Sequence, residues 1–143
     1  MILTAKDVMR QAPGFVSENS SITQAAQLLE RHGQGALPIC TADGQVVGMI
    51  TDRDIAIKVV AAGKDPVTTS VCEVSRIPVV ALAEQGLQDV LTTMREHHVR
   101  RMPVLQSGKL VGLISFIDIA KNLPLSDLGD LSFVGDFFHP TAI

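Results

Sequence analysis

The sequence predicts an α/β fold of the α+β type, built from two β-α-β-β-α repeats. A proline-containing apolar segment occurs at Pro38 and again 65 residues later at Pro103. A Gly-x-x-Thr/Ser-x-x-Asp motif begins at Gly48 and again 64 residues later at Gly112, and a hairpin-turn signal precedes each copy. Because a unit of about 60 residues buries its apolar face poorly, we expect the two repeats to pack as one pseudo-twofold module.

Each repeat is expected to begin with a short strand and an amphipathic helix. The strands are predicted at residues 14–17 and 79–81, and the capping box Ser21-x-x-Gln24 starts the first helix, which Gly33 ends. Apolar residues at helical spacing predict the buried faces of the two helices. They are Ile22, Ala25, Ala26 and Leu29 in the first repeat and Leu87, Val90, Leu91 and Met94 in the second.

Two further strands and a second helix are expected to complete each repeat. Hairpin turns are predicted at Asp43-Gly44 and at Ser107-Gly108, because glycine in these dipeptides adopts the positive φ that tight turns need. The second helix is predicted over residues 52–62, with Gly63 as its terminator. Its counterpart is predicted to start near Phe116 and to stop before Pro124.

Capping boxes ahead of each repeat indicate where the repeats begin. Thr4-x-x-Asp7 and Ser70-x-x-Glu73 each predict a short helical turn. We expect repeat 1 over residues 4–66, repeat 2 over residues 67–123 and an apolar C-terminal tail over residues 124–143. The tail holds three of the five phenylalanines, so we expect it to dock on the body or on a second subunit.

The composition excludes several classes of protein. Lys plus Arg is 12 and Asp plus Glu is 15, which gives a net charge of −3, and Trp and Tyr are absent, unlike a typical nucleic-acid binder. No apolar run is long enough to span a bilayer, and charges at residues 6, 7 and 10 interrupt the N-terminus where a signal peptide is apolar. We therefore expect a soluble cytoplasmic protein that binds neither nucleic acid nor membrane. Cys40 and Cys72 lie in apolar runs and are predicted to be buried thiols in a reducing compartment.

The most informative motif places Thr51 three residues before Asp54, and Ser115 three residues before Asp118. The simplest interpretation is a capping box with Asp in place of Glu or Gln. The preceding glycine lacks a side chain and admits another group closely. A functional interpretation uses the same geometry, because a helix start offers amides and a hydroxyl to a phosphate while the carboxylate accepts from two sugar hydroxyls. Together these groups indicate a nucleotide site.

A basic cluster precedes the second proline-containing strand and comprises Arg95, His97, His98, Arg100 and Arg101. Cations at a helix C-terminus stabilise its dipole, which explains Arg95 and His97. Arg100 and Arg101 lie beyond the helix, where binding an anion is as well supported as a solvated surface. Adjacent side chains on a strand point to opposite faces, so only one of this pair faces a given cleft.

The segments from Gly48 to Ile55 and from His98 to Val104 resemble those of a tandem CBS-domain pair, a family named for cystathionine β-synthase. The resemblance covers about residues 4–123. It implies a homodimer, in which four repeats form a flat disc, and clefts between repeats that bind AMP, ADP, ATP or S-adenosylmethionine. It also implies a regulatory protein with no required cofactor, which passes a metabolic or stress signal to a protein partner.

The resemblance further implies which side chains contact such a ligand. The motif carboxylates hold the ribose, the motif hydroxyls lie by the phosphates, the proline-containing strands line the base pocket and the first strands close it. The candidate ligand-binding residues are Val16, Ala36, Leu37, Pro38, Thr51, Arg53 and Asp54 in repeat 1 and Val80, Arg100, Arg101, Met102, Pro103, Ser115 and Asp118 in repeat 2. Arg76 is a further cation near the motif.

The two sites are not expected to be equivalent. Repeat 1 has Gly35-Ala36 where repeat 2 has Arg100-Arg101, and it has Asp52 where repeat 2 has Phe116. Repeat 1 therefore has less positive charge for a polyphosphate. We expect one competent nucleotide site per chain and one that is weaker or empty.

The sequence also bears on three alternatives to a nucleotide sensor. The chain has no nucleophile elbow, zinc-protease helix or P-loop motif, and the repeats take up most of its length, so we expect no enzyme. His97 and His98 are adjacent, which suits metal ligation poorly, so we predict no metal site in the chain itself, but a dimer interface could assemble one. The third alternative is a structural or partner-binding dimeric disc without nucleotide, which the apolar tail and helix faces support.

Overall fold

The computed structural model describes residues 2–131 and divides them into two compact units. The continuous unit is Pro13–Pro78. The discontinuous unit joins the residues before Pro13 to those from Val79 onward. The phenylalanines of the expected tail, at positions 133, 137 and 138, lie outside the described residues.

The elements confirm two β-α-β-β-α repeats of the α+β type, each with an additional short helical turn ahead of it. The helices are α1 (Ala5–Val8), α2 (Ile22–His32), α3 (Asp52–Ile55), α4 (Leu87–His97) and α5 (Phe116–Ala120). The strands are β1 (Arg10–Gln11), β2 (Val16–Ser17), β3 (Ala36–Cys40), β4 (Val46–Thr51), β5 (Ala81–Leu82), β6 (Arg101–Gln106) and β7 (Lys109–Ser115). A π-helical turn lies at Ala56–Val60, and 3-10 turns lie at Val71–Glu73 and Leu125–Asp127.

The continuous unit is built on a three-stranded sheet in the order β2-β3-β4. Strand β2 runs parallel to β3, with Val16 opposite Ile39, and β3 runs antiparallel to β4, with Leu37 opposite Ile50. Apolar side chains from the strands, from α2 and from the segment after α3 form its core. The buried core residues are Val16, Ile22, Ala25, Leu29, Leu37, Ile39, Ile50, Val59, Val71 and Val74.

The discontinuous unit is built on a four-stranded sheet in the order β1-β7-β6-β5. Strand β5 runs parallel to β6, with Ala81 opposite Val104, and β6 runs antiparallel to β7. Strand β1 adds to the far edge, antiparallel to β7, with Arg10 opposite Leu113. The buried core residues are Ala5, Ala81, Ala83, Leu87, Val90, Leu91, Met94, Val99, Met102, Val104, Ile114, Ile119 and Leu128.

In both units the segment that leads into one repeat lies beside the last strand of the other repeat. Strand β1 leads into repeat 1 but pairs with β7, and Arg76 leads into repeat 2 but exchanges backbone hydrogen bonds of 2.9 and 3.1 Å with Met49 in β4. The motif glycines make room for these segments. A Cβ on Gly112 would lie 3.0 Å from the carbonyl oxygen of Arg10, and one on Gly48 would lie 3.4 Å from that of Arg76. The predicted close approach to the motif glycines is thus confirmed. The approaching group is in each case the segment that leads into a repeat, here called its leader segment: β1 for repeat 1 and the residues at Arg76 for repeat 2.

The predicted caps and faces of the two long helices are largely confirmed. Ser21 and Gln24 form the reciprocal capping box, and Gly33 ends α2 with a φ of 58°. All four apolar residues predicted for α4 are buried, as are three of the four predicted for α2. Ala26 is the exception and is exposed, because Leu28 packs against the core and the buried face of α2 is turned towards it.

The second helix of repeat 2 starts at Phe116 and stops before Pro124, as predicted, whereas the α-helical part of its counterpart in repeat 1 is shorter than predicted. After α3 the chain forms a π-helical turn, in which the amide of Ala61 donates to the carbonyl of Ala56, five residues back, at 2.9 Å. Over so short a segment the apolar pattern fits four-residue and five-residue hydrogen bonding alike. Helix α5 ends at Ala120, and the side chain of Asn122 donates to the carbonyl of Asp118, which competes with continuation of the helix.

The hairpin turns are confirmed, whereas the first strands are shorter than predicted. Ser107 and Gly108 both have positive φ, 52° and 77°, between the paired residues Gln106 and Lys109. Strands β2 and β5 have two residues each because only two positions pair with the neighbouring parallel strand. Strand β5 consequently begins at Ala81, the last residue of the segment predicted for it.

The two cysteines are free thiols in different environments. Cys40 is buried, and this burial raises the pKa of its thiol. The prediction that Cys72 is also buried is wrong. Val71 fills the core at this 3-10 turn, so the next side chain faces outward, where its Sγ donates to the carbonyl of Glu18 at 3.3 Å.

The described part of the C-terminal tail docks on the discontinuous unit. Leu128 is buried in its core, and Leu131 packs against that core. The guanidinium of Arg95 donates to the carbonyls of Leu128 and Asp130 at 2.8 and 2.9 Å. No helix within residues 2–131 combines the length and apolar character needed to cross a bilayer.

Candidate functional site

Both copies of the Thr/Ser-x-x-Asp motif form reciprocal capping boxes. The hydroxyl of Thr51 accepts from the amide of Asp54 at 3.0 Å, and the Oδ2 of Asp54 accepts from the amide of Thr51 at 3.0 Å. Ser115 and Asp118 repeat this arrangement at 3.2 and 2.8 Å. The capping interpretation is therefore confirmed, and each carboxylate has its second oxygen, Oδ1, left for other partners.

The backbone amides expected to bind a phosphate are already engaged in repeat 1. Besides the two capping bonds, the amide of Asp52 donates to the carbonyl of Gly35 at 3.0 Å, and that of Arg53 donates to Asp52 Oδ1 at 2.8 Å. In repeat 2 the amide of Phe116 likewise donates to the carbonyl of Arg100 at 2.7 Å. The expected cradle of open amides is wrong for repeat 1, because neighbouring loop and side-chain oxygens take them first. An anion at the repeat 1 motif must therefore rely mainly on side chains.

Two cations occupy the second carboxylate oxygen of repeat 1. The Oδ1 of Asp54 accepts from Arg76 Nε at 2.8 Å and lies 3.3 Å from Lys58 Nζ. The Asp54 side chain has no exposed surface, and that of Arg76 is only 16% exposed. Burial of a carboxylate requires such compensation. Lys58 was not singled out from the sequence, although its position four residues after Asp54 was a signal for an ion pair on one helical face.

Within residues 2–131, the carboxylate of repeat 2 has no comparable partners. Asp118 is partly buried, and among the described residues no cation lies within ion-pair distance of it. Asn122 replaces Lys58 and donates to the backbone carbonyl of Asp118 at 2.7 Å. Arg10 replaces Arg76 and is exposed. The Oδ1 of Asp118 is thus open to a hydrogen-bond donor.

A small cavity adjoins the repeat 2 motif. It has a volume of about 40 Å³ and is lined by Arg100, Arg101, Ser115, Phe116 and Ile117. Sites for whole small molecules are typically about 300 Å³ or more, so this cavity alone fits only a small group. Both predicted arginines line this cavity together with Ser115. The expectation that only one of them faces a given cleft is therefore wrong, because Arg100 precedes β6 and strand alternation does not apply to it. Repeat 1 has Gly35 and Ala36 at the arginine positions.

The remaining candidate residues lie mainly in the hydrophobic cores. Val16 and Leu37 belong to the core of the continuous unit, and Met102 belongs to that of the discontinuous unit. Buried positions on the proline-containing strands also include Ala36, Pro38 and Pro103. Val80 is 36% exposed, and Arg53 is partly exposed. Among the candidates, polar side-chain groups thus come from the motif residues and from Arg53, Arg100 and Arg101.

One buried polar residue was missed in the sequence. Gln34 is only 8% exposed, and its side chain accepts from the amide of Gly14 at 2.7 Å. It also donates to the carbonyls of Gly14 and Ala36 at 3.1 and 3.0 Å. The side chain of Gln34 therefore links Gly14, just before β2, to Ala36 in β3. A polar residue directly after the helix-ending glycine was its only signal.

The described part of the chain contains no cluster of metal-ligating side chains. Within residues 2–131, no three or more His, Cys, Asp or Glu side chains are grouped so that they could hold a metal ion. His139 lies outside these residues.

Comparison with known proteins identifies the family. The model of the CBS domain matches residues 5–61 and 71–125, and the chain belongs to the CBS-domain family as a tandem pair. It is similar to hypoxic response protein 1 of Mycobacterium tuberculosis, with 44% identity over 122 residues and 85% of each chain covered. It is also 37% identical over 120 residues to the CBS domain-containing protein YhcV of Bacillus subtilis, covering 83% of this chain and 84% of that one.

Solved structures of CBS pairs share the fold. A crystal structure of Hypoxic Response Protein I with two coordinated zinc ions matches with a TM-score of 0.78 at 44% identity, over 85% of this chain and 100% of that chain. The CBS domain pair of protein MJ0100, in complex with 5′-methylthioadenosine and S-adenosyl-L-methionine, matches with a TM-score of 0.76 at 28% identity, over 85% of this chain and 95% of that chain. A protein crystallised with zinc ions and a CBS pair crystallised with nucleosides thus share this architecture.

Proposed function

We propose that this CBS pair is a non-catalytic sensor that binds an adenosine nucleotide through the repeat 2 motif and signals to a protein partner. The observation that carries the proposal is the open Oδ1 of Asp118, next to a hydroxyl that borders a cavity lined by Arg100 and Arg101. A relative of the same fold binds nucleosides, which supports this ligand class.

The chemistry of the site suits a nucleotide. A carboxylate only accepts hydrogen bonds, so Asp118 pairs with the donor hydroxyls of a ribose. Guanidinium groups bind phosphate oxygens through paired, charge-assisted hydrogen bonds, which is the role of Arg100 and Arg101. Binding produces a signal only if the ligand has a higher affinity for one arrangement of the protein than for another. The name of one relative, hypoxic response protein 1, supports a metabolic stress as the cue.

Thermal unfolding with AMP, ADP, ATP and S-adenosylmethionine tests the proposal. A ligand at a hundred times its Kd adds about 2.7 kcal/mol, which raises Tm by several degrees for a domain of this size. We expect the shift to disappear in Asp118→Ala and to persist in the matched control Asp89→Asn, an exposed carboxylate of the same unit. Arg101→Ala should weaken binding of ATP more than binding of adenosine. Absence of any shift, or an equal shift in Asp118→Ala, would contradict the proposal.

A partner-binding dimer is the second candidate function, and exposed apolar side chains favour it. Ile57 and Val60 are 53% and 69% exposed, and Ile117 on α5 is 58% exposed. Contact with a second copy of the chain would remove such surface from water. Sedimentation analysis should then show a dimer in the wild type and a monomer in Ile117→Asp. A monomeric wild type would contradict this candidate.

A further inference from the structure

We infer that Arg76 acts as an internal ligand of Asp54, which closes the repeat 1 motif to nucleotides and confines binding to Asp118. This inference rests on the proposed function and explains why only one of the two Thr/Ser-x-x-Asp motifs binds the nucleotide. The key contact is the 2.8 Å hydrogen bond from Arg76 Nε to Asp54 Oδ1.

Both oxygens of the Asp54 carboxylate already have partners within the chain. Its Oδ2 accepts from the amide of Thr51, and its Oδ1 accepts from Arg76 and lies beside the ammonium of Lys58. The side chain is fully buried. A sugar hydroxyl carries no charge, so its hydrogen bond to Asp54 would not compensate for leaving the largely buried guanidinium of Arg76 without its carboxylate.

The backbone holds Arg76 in this position before any ligand arrives. Its amide and carbonyl both bond to Met49 in β4, at 2.9 and 3.1 Å. Gly48 beside it leaves room for the segment, since a Cβ there would lie 3.4 Å from the Arg76 carbonyl oxygen and from Ser75 Cβ. The backbone of Arg76 is therefore fixed beside β4, and from there its guanidinium reaches Asp54.

Repeat 2 has the same framework without these cations at its carboxylate. Asn122 stands at the position of Lys58 and bonds to a backbone carbonyl instead. Within residues 2–131, the carboxylate of Asp118 accepts only from the amide of Ser115. The residues around the two carboxylates, and not the shared motif, thus decide which one is open.

The number of nucleotides bound per chain tests this inference. Calorimetric titration with AMP and with ATP should give one site per chain in the wild type. It should give two in Arg76→Gln and in the double variant K58N/R76Q, which carries at position 58 the asparagine found in repeat 2. Arg10→Gln, which removes the exposed arginine at the equivalent position, is the matched control and should keep one site. A folded Arg76→Gln protein that still binds one AMP per chain would overturn the inference.

Asp118→Ala provides a second test that leaves the Asp54 ion pairs intact. We expect it to have no remaining site, and we expect D118A/R76Q to regain one. A site of wild-type affinity remaining in Asp118→Ala would show that Asp54 binds the nucleotide and would overturn the inference. If the wild type binds neither probe but Arg76→Gln binds one, the proposed function at Asp118 fails and the role of Arg76 is supported. If none of these variants binds, both fail.

Discussion

Met9 packs against Gly112 so closely that a Cβ on the glycine would lie 2.7 Å from Met9 Cγ. The same Cβ would lie 3.0 Å from the carbonyl oxygen of Arg10. The first residue of the repeat 2 motif is therefore glycine because the N-terminal leader crosses it. A motif that looks functional in sequence thus owes one of its positions to packing.

Gly112→Ala is expected to destabilise the protein by about 1–3 kcal/mol, the usual cost of overpacking. Met9 can rotate away, but the Arg10 carbonyl belongs to a paired strand and cannot. Gly48→Ala should cost less, because its nearest neighbours would be at 3.3 and 3.4 Å. Urea denaturation of both variants measures the difference, and a larger loss in Gly48→Ala would contradict this account.

Asp54→Ala should destabilise the protein more than Asp118→Ala. Both lose a helix cap, which costs about 1 kcal/mol. Asp54→Ala also leaves the largely buried Arg76 without its carboxylate, and breaking a buried pair costs about 3 kcal/mol more. Urea unfolding without nucleotide compares the two, and equal losses would show that the Arg76 contact contributes nothing to stability.

Arg95→Ala should release the described part of the tail. It removes two hydrogen bonds to the backbone carbonyls of Leu128 and Asp130. A hydrogen bond that involves a charged group contributes about 1.5–3 kcal/mol to stability. Hydrogen exchange should accelerate around Leu128 while the amides of β3 keep their protection. Arg31→Ala, at an exposed arginine in the last turn of α2, is the control. Unchanged exchange at Leu128 would mean that burial of its side chain alone holds the segment.

The two thiols should differ in reactivity. Burial raises the pKa of Cys40, so at a given pH a smaller fraction of it is thiolate, and its side chain is also shielded from reagents. At pH 8, iodoacetamide should modify Cys72 first, as mass spectrometry of Cys40→Ser and Cys72→Ser proteins can verify. Unfolding in urea should bring the two rates together. Faster modification of Cys40 in the native protein would be the contrary result.

Local sequence predicted those parts of the fold that depend on local interactions. The Ser21 capping box, the glycine at position 33 and the Ser107-Gly108 turn each involve residues within a few positions of one another, so their signals are visible in the sequence. The pairing of β1 with β7 joins residues about a hundred positions apart, and no short pattern encodes it. The exposure of Cys72 depends likewise on which neighbour fills a distant core.

The sequence predicted the residues of the candidate site but not the contacts that they make with one another. The motif residues and the substitution of Gly35-Ala36 for Arg100-Arg101 indicated that the repeats differ. The hydrogen bond to Asp54 Oδ1 comes from Arg76, 22 residues away, whose backbone hydrogen bonds to Met49 hold it beside β4. Spacing alone could not show that two equal-looking carboxylates have different partners.

The crossed leader segments determine where this chain can be recombined with a relative. A chimaera joined between residues 66 and 67 would set a foreign leader beside β4 and keep the native β1 beside a foreign β7. Junctions at the borders of the continuous unit, Pro13–Pro78, would transplant a complete sheet with its own leader. The unit that can be exchanged as a whole is therefore Pro13–Pro78 and not the sequence repeat over residues 4–66. Its two ends lie later in the chain by about the length of the segment that leads into a repeat.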